Sequence, residues 1–308
     1  MREAERARGL LLGLAIGDAL GAPVEFLRLE QIQERYGPRG VQGYVRAGGM
    51  FTDDTQMSMA VAEAVIEAGA LPVGGLMEAV TRRFVEWLDS PDNFRAPGIS
   101  TRLACRRLKE GAPWTLAGDP KSKGCGSVMR TAPVGFFYRR DPARLREAAH
   151  AIGIATHREP SADAACIAAA RAASLAALGK PPSEWLADMR GFTAGLSGEL
   201  DATLARVEAA LPMPDEEEAV ALIGERFDGW TADEVLGIAL YAVLRHPGDF
   251  SAAVLRAVNN SGDSDSIACV AGGLSGALLG RSAIPEAWVE GIERREDLEA
   301  LAESLAAA

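Results

Sequence analysis

The segment 9–22, GLLLGLAIGDALGA, carries a glycine at every fourth position, at 9, 13, 17 and 21. In a helix this spacing places the glycines on one face, where another backbone can approach closely. Glycine lowers helix stability, so tight packing against that face is the expected compensation. Pro23 cannot continue the hydrogen-bond ladder, so the helix is expected to end at the turn PVEF. The segment therefore predicts a buried core helix.

A charged start followed by an apolar run is also typical of a secretory signal peptide. Asp18 interrupts the run, however, no small-residue cleavage site is evident, and Glu25 follows closely. No stretch reaches the roughly 18 uninterrupted apolar residues of a membrane span. We therefore expect a core helix and no association with a membrane.

Most of the remaining chain is predicted to be helical. Alanine is abundant, and short polar turns separate apolar segments from residue 54 to residue 307, although VQGYV at 41–45 could be a short strand. No long linker, low-complexity tract or fixed-period repeat appears. The sequence predicts an all-α fold in one domain spanning residues 1–308.

Composition limits the functional classes. The 308 residues are 48% hydrophobic, which is ample for a large core. The net charge of −11 argues against an electrostatic nucleic-acid binder, although it leaves room for a small anionic ligand. Four cysteines without a CxxC pair suit reduced thiols in a cytoplasm. The three histidines lack the spacing of a zinc site.

The turn 259–268, NNSGDSDSIA, contains more oxygen ligands than a helix start requires. It holds two carboxylates, Asp263 and Asp265, with two asparagines and three serines, and a small-residue helix follows. Asp265 or Ser266 could simply be the N-cap, but one residue suffices for that. Hard cations prefer several oxygen ligands. The turn alone leaves capping and metal binding both open, but it excludes an EF-hand, because position 12 counted from Asp263 is Leu274 rather than glutamate.

A second acidic turn, FTDDT at 51–55, has the same character. Asp53 and Asp54 stand between two threonines at the start of an amphipathic helix, where acids also suit the helix dipole. If the two turns faced each other, they would supply about six oxygens, enough for one or two octahedral ions. The loop 118–135 is rich in glycine and could be a surface loop or a phosphate-binding nest, but it is not a Walker loop.

Together these segments resemble the ADP-ribosylglycohydrolase family, which includes dinitrogenase-reductase-activating glycohydrolases and hydrolases of ADP-ribosylarginine and ADP-ribosylserine. The matching segments, in family order, are GLAIGDALGAPVE (13–25), FTDDTQM (51–57), KGCGSVMRTAPVG (123–135), TH (156–157) and NNSGDSDSIA (259–268). The resemblance implies a compact domain of orthogonally packed helices, with two divalent cations, Mg²⁺ or Mn²⁺, at the base of a cleft.

The resemblance also implies roles for individual residues. The implied metal ligands are Thr52, Asp53, Asp54, Asp263, Asp265 and Ser266. The residues implied to contact ADP-ribose are Gly98, Ile99, Ser100, Gly124, Cys125, Gly126, Ser127 and His157. Catalysis is assigned to Glu25, as general acid or base, with Asp53 and Asp263. Relatives carry asparagine at the position of Cys125 and often threonine at that of Ser266.

The implied activity is hydrolysis of the N- or O-glycosidic bond at the distal ribose of an ADP-ribosylated protein or small molecule. Three other interpretations remain open from the residues. The same ligands could serve a binuclear hydrolase of phosphate esters, the chain could bind ADP-ribose without turnover, or Cys125 and His157 could form a cysteine hydrolase.

Overall fold

A computed structural model describes residues 2–46, 48–226 and 228–308 of the chain. The α-helices are α1 Glu3–Gly21, α2 Leu29–Tyr36, α3 Asp53–Ala68, α4 Val73–Asp89, α5 Ile99–Lys109, α6 Trp114–Ala117, α7 Ala132–Phe137, α8 Pro142–Ile154, α9 Pro160–Ala177, α10 Trp185–Phe192, α11 Gly198–Ala210, α12 Glu216–Ile223, α13 Ala232–Arg245, α14 Phe250–Val258, α15 Ser264–Leu279, α16 Glu286–Gly291 and α17 Arg295–Ala307. Short 3₁₀ turns lie at Ala22–Val24, Cys125–Ser127, Pro182–Glu184 and Arg281–Ala283. The buried apolar side chains form one cluster that extends from Ala7 to Leu305. The prediction of an all-α fold is confirmed.

The strand suggested for 41–45 is wrong, and the described residues contain no β-strand. The backbone of Val41 instead pairs with a side chain. Its N–H donates to Asn259 Oδ1 at 2.8 Å, and its carbonyl accepts from Asn259 Nδ2 at 3.1 Å. An amide side chain thus satisfies the backbone groups that a neighbouring strand would have satisfied.

The glycine face of α1 packs against α15. A Cβ atom added to Gly13 would lie 2.2 Å from the carbonyl oxygen of Gly272, and one added to Gly9 would lie 2.1 Å from that of Gly276. Gly17 meets the carbonyl of Ala268 in the same way. The two helices run antiparallel, so the end of α1 lies at the start of α15. The sequence predicted the close approach correctly but did not identify the partner helix.

By length and composition alone, the segment Glu3–Val24 is apolar enough to cross a membrane. In the fold, 89% of its most apolar window is buried inside the protein. The structure therefore accounts for this hydrophobicity as the packing surface of a core helix.

The two acidic turns begin helices, and each contains one true cap. The side chain of Thr52 accepts from the N–H of Asp54 at the start of α3. The N-cap of α15 is Asp263, rather than Asp265 or Ser266, and its side chain accepts from the N–H of Ser266 at 3.3 Å. Asp265, inside the first turn, accepts from the same N–H at 3.0 Å. Capping therefore explains Thr52 and Asp263, and it leaves the other acids of both turns unexplained.

Candidate active site

Acids from three distant segments meet where α1 ends and where α3 and α15 begin. One carboxylate oxygen from each of Glu25, Asp263 and Asp265 lies within 4.8 Å of the other two. The backbone of the following residue holds Glu25 there, because the N–H of Phe26 donates to the carbonyl of Gly262 at 2.9 Å. Phe26 has a φ of 57°, a strained value for a residue with a side chain.

The start of α3 reaches the same place. Asp54 is 4% exposed, and its Oδ2 has no hydrogen-bond partner among the described residues. The charge of Asp263 and the hydroxyl of Ser266 both act on this carboxyl. A buried acceptor without a partner is costly, so Asp54 is a side chain that a ligand would satisfy.

Asp18 organises the turn before α3, a role that we did not predict from the sequence. Its carboxylate accepts from the N–H and hydroxyl of Thr52 at 3.0 and 2.8 Å, and from those of Thr55 at 3.0 and 2.6 Å. The Thr52 hydroxyl donates to Asp18 and, within the described part of the chain, accepts only from Asp54 N–H, which leaves one of its lone pairs without a partner there. The available signal was an acid inside an otherwise apolar, glycine-rich helix.

Burial and repulsion between neighbouring carboxylates disfavour the charged form of these acids. Burial, then repulsion from Asp263 and Asp18, raises the pKa of Glu25 to about 7. Burial raises the pKa of Asp18 to about 6, against the lowering effect of its hydrogen bonds. Burial is also the main cause that raises the pKa values of Asp53, Asp54 and Asp265 well above the ordinary range.

No Lys, Arg or His in the described ranges forms an ion pair with these acids. Buried carboxylates are normally paired with a cation or bound to a metal. The donor set consists of carboxylates with the hydroxyls of Thr52 and Ser266, and hard ions such as Mg²⁺ and Mn²⁺ prefer oxygen ligands of this kind. The residues therefore fit divalent cations.

Cys125 lies against the acids. Its Sγ is 3.1 Å from Asp263 Oδ2 and 3.3 Å from Ser266 Oγ. Among the described residues, Cys125 makes no hydrogen bond with His157. Burial, followed by the charges of Asp263 and Asp54, raises the pKa of this thiol well above its usual value. Both observations argue against a cysteine hydrolase, which needs a thiolate activated by a base.

The loop before α5 is attached to the acids at one point. The N–H of Gly98 donates to Asp53 Oδ2 at 3.3 Å. The side chain of Ile99 is 77% exposed, and Ser100 Oγ accepts from Ser122 Oγ at 2.8 Å. The structure thus connects Gly98 to the acids directly, and connects Ser100 to the glycine-rich loop.

The glycine-rich loop passes beside His157. A Cβ atom added to Gly126 would lie 2.7 Å from His157 Cε1, and one added to Gly124 would lie 3.6 Å from His157 Nε2. Ser127 differs from its neighbours, because it is fully buried and its hydroxyl has no partner among the described residues. The loop therefore presents glycine backbone, rather than the Ser127 side chain, next to the imidazole.

Comparison with known proteins identifies the family. The family model described as ADP-ribosylglycohydrolase matches residues 1–308. An ADP-ribosylarginine hydrolase of Serratia proteamaculans is 31% identical, over 98% of this chain and 79% of its own. An ADP-ribosyl-[dinitrogen reductase] glycohydrolase of Rhodospirillum rubrum is 29% identical, over 96% of this chain and 92% of its own.

A solved structure described as an ADP-ribosylglycohydrolase-related protein complex has a TM-score of 0.76 and 31% sequence identity. The match covers 99% of this chain and 98% of that one. The expectation of an enzyme of the ADP-ribosyl glycohydrolase class is confirmed by the family match and by the names of these relatives. With the family model spanning every residue, and with Asp54 of one motif close enough to interact with Asp263 of the other in an all-α fold, the chain belongs to the ADP-ribosylglycohydrolase family.

Proposed function

We propose that the protein uses divalent cations to hydrolyse the N- or O-glycosidic bond at the distal ribose of an ADP-ribosylated substrate, releasing ADP-ribose. One observation carries the proposal. Acids that lie after α1 and at the starts of α3 and α15 converge, and none of them forms an ion pair with a basic residue in the described part of the chain. In its ionised form such a cluster destabilises the fold unless positive charge enters it.

The residues that would hold the cations come from the two acidic turns. They are Thr52, Asp53, Asp54, Asp263, Asp265 and Ser266. Two ions bound there, Mg²⁺ or Mn²⁺, would supply a fixed site for ribose hydroxyls and favour ionisation of a water molecule. Asp18 would keep the Thr52 hydroxyl oriented, since it accepts that proton.

Glu25 is the acid best placed for proton transfer. Asp53, Asp54, Asp263 and Asp265 are each at most 6% exposed, whereas Glu25 is only partly buried. Its pKa of about 7 lies near neutral pH, where a carboxyl group can both donate and accept a proton. We assign Glu25 the transfer to the leaving group or from the attacking water, through a transition state that resembles an oxocarbenium ion.

The nucleotide side of the substrate would lie along the glycine loops around Gly98 and Gly124–Gly126, with His157 beside them. The other side would be a protein or a small molecule. The two named relatives act on ADP-ribosylarginine and on ADP-ribosylated dinitrogen reductase, which favours a protein substrate. The four free cysteines support a reducing, cytoplasmic setting.

The test is release of ADP-ribose from three conjugates: ADP-ribosylarginine, an ADP-ribosylserine peptide and O-acetyl-ADP-ribose. Each is incubated with Mg²⁺, with Mn²⁺ and with EDTA. We expect metal-dependent release from at least one conjugate, and the conjugate cleaved identifies the linkage.

Two results would contradict the proposal. Release of inorganic phosphate from phosphate esters, without release of ADP-ribose, would indicate a different binuclear hydrolase. Tight binding of ADP-ribose with no turnover of any conjugate would indicate a binding protein.

A further inference from the structure

Arg130 is a fully buried cation that forms no ion pair with a carboxylate among the described residues. Its Nη1 donates to the carbonyl of Gly126, and its Nη2 donates to the carbonyl of Ile152 at 3.2 Å and to Thr156 Oγ1 at 2.5 Å. The guanidinium lies 4.9 Å from the centre of the Phe84 ring. A guanidinium has only donors, so each oxygen that it touches must act as an acceptor.

This requirement determines the direction of the next hydrogen bond. Thr156 Oγ1 lies 2.8 Å from His157 Nδ1, and Thr156 is fully buried. Because Arg130 already donates to this oxygen, the single hydroxyl proton of Thr156 is free to donate to Nδ1. If Nδ1 carried a hydrogen instead, the Thr156 proton would have no acceptor among the described residues, which is costly in a buried site.

The imidazole is therefore an acceptor at Nδ1 and carries its hydrogen on Nε2. Burial, and after it the charge of Arg130, lowers the pKa of His157 to about 3. Nε2 makes no hydrogen bond within the ranges that the structure describes, and it faces the glycine loop. A Cβ atom added to Gly126 would lie 3.2 Å from Nε2. The open donor thus lies where only glycine leaves room for another group.

We propose that Arg130 and Thr156 are positioning residues that lock His157 as its neutral Nε2–H tautomer, and that this donor binds a phosphoryl or ribose oxygen of the ligand. The identity of that ligand as an ADP-ribosyl group rests on the proposed function. His157 then acts as a fixed hydrogen-bond donor rather than as a base. Arg130 also holds the Gly126 carbonyl, so one buried cation orients both the imidazole and the loop that faces it.

The tautomer can be measured directly in the unmodified protein. Long-range ¹H–¹⁵N spectra distinguish Nδ1–H from Nε2–H, and the chain contains only three histidines. His150, paired with Asp163, and His246, near Glu216, serve as internal references. We expect His157 to show the Nε2–H pattern and no titration between about pH 5 and 8. An Nδ1–H pattern, or protonation near the ordinary histidine pKa, would overturn the proposal.

The hydrogen bonds from Arg130 to Thr156 and from Thr156 to His157 form a relay, and a matched pair of variants tests it. Thr156→Val keeps the shape but removes the hydroxyl, and Thr156→Ser keeps the hydroxyl. We expect Thr156→Val to release the tautomer lock and weaken ADP-ribose binding by about 10- to 100-fold, with a higher KM and a smaller change in kcat. Thr156→Ser should restore the Nε2–H spectrum and the affinity. Equal binding by Thr156→Val and the parent protein would refute the relay.

The two proposals fail in different ways. If the parent protein hydrolyses no conjugate and yet His157 keeps its Nε2–H tautomer, the proposed function is wrong and the relay stands. If the parent protein hydrolyses a conjugate and its His157 shows the Nδ1–H tautomer, the proposed function stands and the relay is wrong.

Discussion

Asp18 shows how one side chain can support a site without facing the substrate. It accepts four groups of the turn before α3, and so it determines where the Thr52 and Thr55 hydroxyls point. Partners of metal ligands typically contribute about 10- to 100-fold to metal affinity. We therefore expect Asp18→Asn to weaken Mn²⁺ binding by about that factor, measured by calorimetry.

Asp233→Asn is the matched control. Asp233 is also buried and also accepts from a threonine hydroxyl, at 2.7 Å from Thr203 Oγ1, but it is not one of the acids at the site. Similar losses of metal affinity in both variants would mean that the effect reflects general destabilisation rather than the orientation of Thr52.

Glu25 allows a separate test of chemistry. Replacing it with glutamine keeps the size and removes the titrating group. We expect kcat to fall by about 10²–10⁴-fold, the usual contribution of a general acid or base, with little change in the affinity for ADP-ribose. An unchanged kcat in Glu25→Gln would remove Glu25 from the mechanism.

At the scale of the element, the pairing of α1 with α15 sets the geometry of the site. Backbone contact at Gly13 and Gly272 leaves no space for a methyl group. Glu25 follows α1, and Asp263 caps α15, so any separation of the two helices would also move these acids apart. The glycines of the α1–α15 contact therefore help to position the acids of the site, although none of these glycines is itself a site residue.

Gly13→Ala tests how much the close packing of α1 against α15 contributes to stability. The new methyl group would have to displace the α15 backbone, and we expect a loss of about 1–3 kcal/mol in the free energy of unfolding. Gly74→Ala is the control, because Gly74 lies in α4 with nothing within 4 Å of its added Cβ atom. That variant should be neutral or more stable by about 0.5–1 kcal/mol. Denaturant unfolding of both variants measures the difference.

Element boundaries were less predictable than element type. Helix α12 ends at Ile223, and beyond it the carboxylate of Glu234 accepts from the N–H groups of Arg226 and Gly229. Alanine content and apolar periodicity indicated that a helix was present. They carried no information about a carboxylate from the next helix that would take over the backbone donors.

At the scale of the whole molecule, the acids link stability to pH. The pKa values of Glu25 and Asp18 are raised in the fold, so their contribution is fully present below their unfolded values of 4.5 and 3.8. It is lost as the pH rises through about 7 and about 6. The metal-free protein should therefore lose stability from these groups over that window.

Cations should reverse this loss, because they bind the ionised carboxylates. We expect the increase in Tm on adding saturating Mn²⁺ to be larger at about pH 8 than at about pH 5. Comparing the loaded and metal-free proteins at each pH cancels the titration of acids elsewhere, such as the ion-paired Glu3 and Glu199. An increase in Tm that does not change with pH would contradict the linkage.

The two acidic motifs could be recognised from the sequence, and so could the all-α class. What the sequence did not contain was the distance between the motifs, because nothing in the run 9–22 specifies which helix its glycines contact. The positions of Cys125 and Asp18 were hidden for the same reason. Each makes its contacts with residues far along the chain, and only the packed helices bring them together.

The antiparallel pairing of α1 and α15 has a consequence for synthesis. A polypeptide still growing on the ribosome carries Glu25, Asp53 and Asp54 long before Asp263 and Asp265 exist. Until α15 emerges, α1 also lacks the backbone that its glycines fit, and its apolar surface remains available to chaperones. An incomplete chain therefore holds three of these five acids and no assembled centre, so the proposed cation site can form only when the two ends of the chain meet.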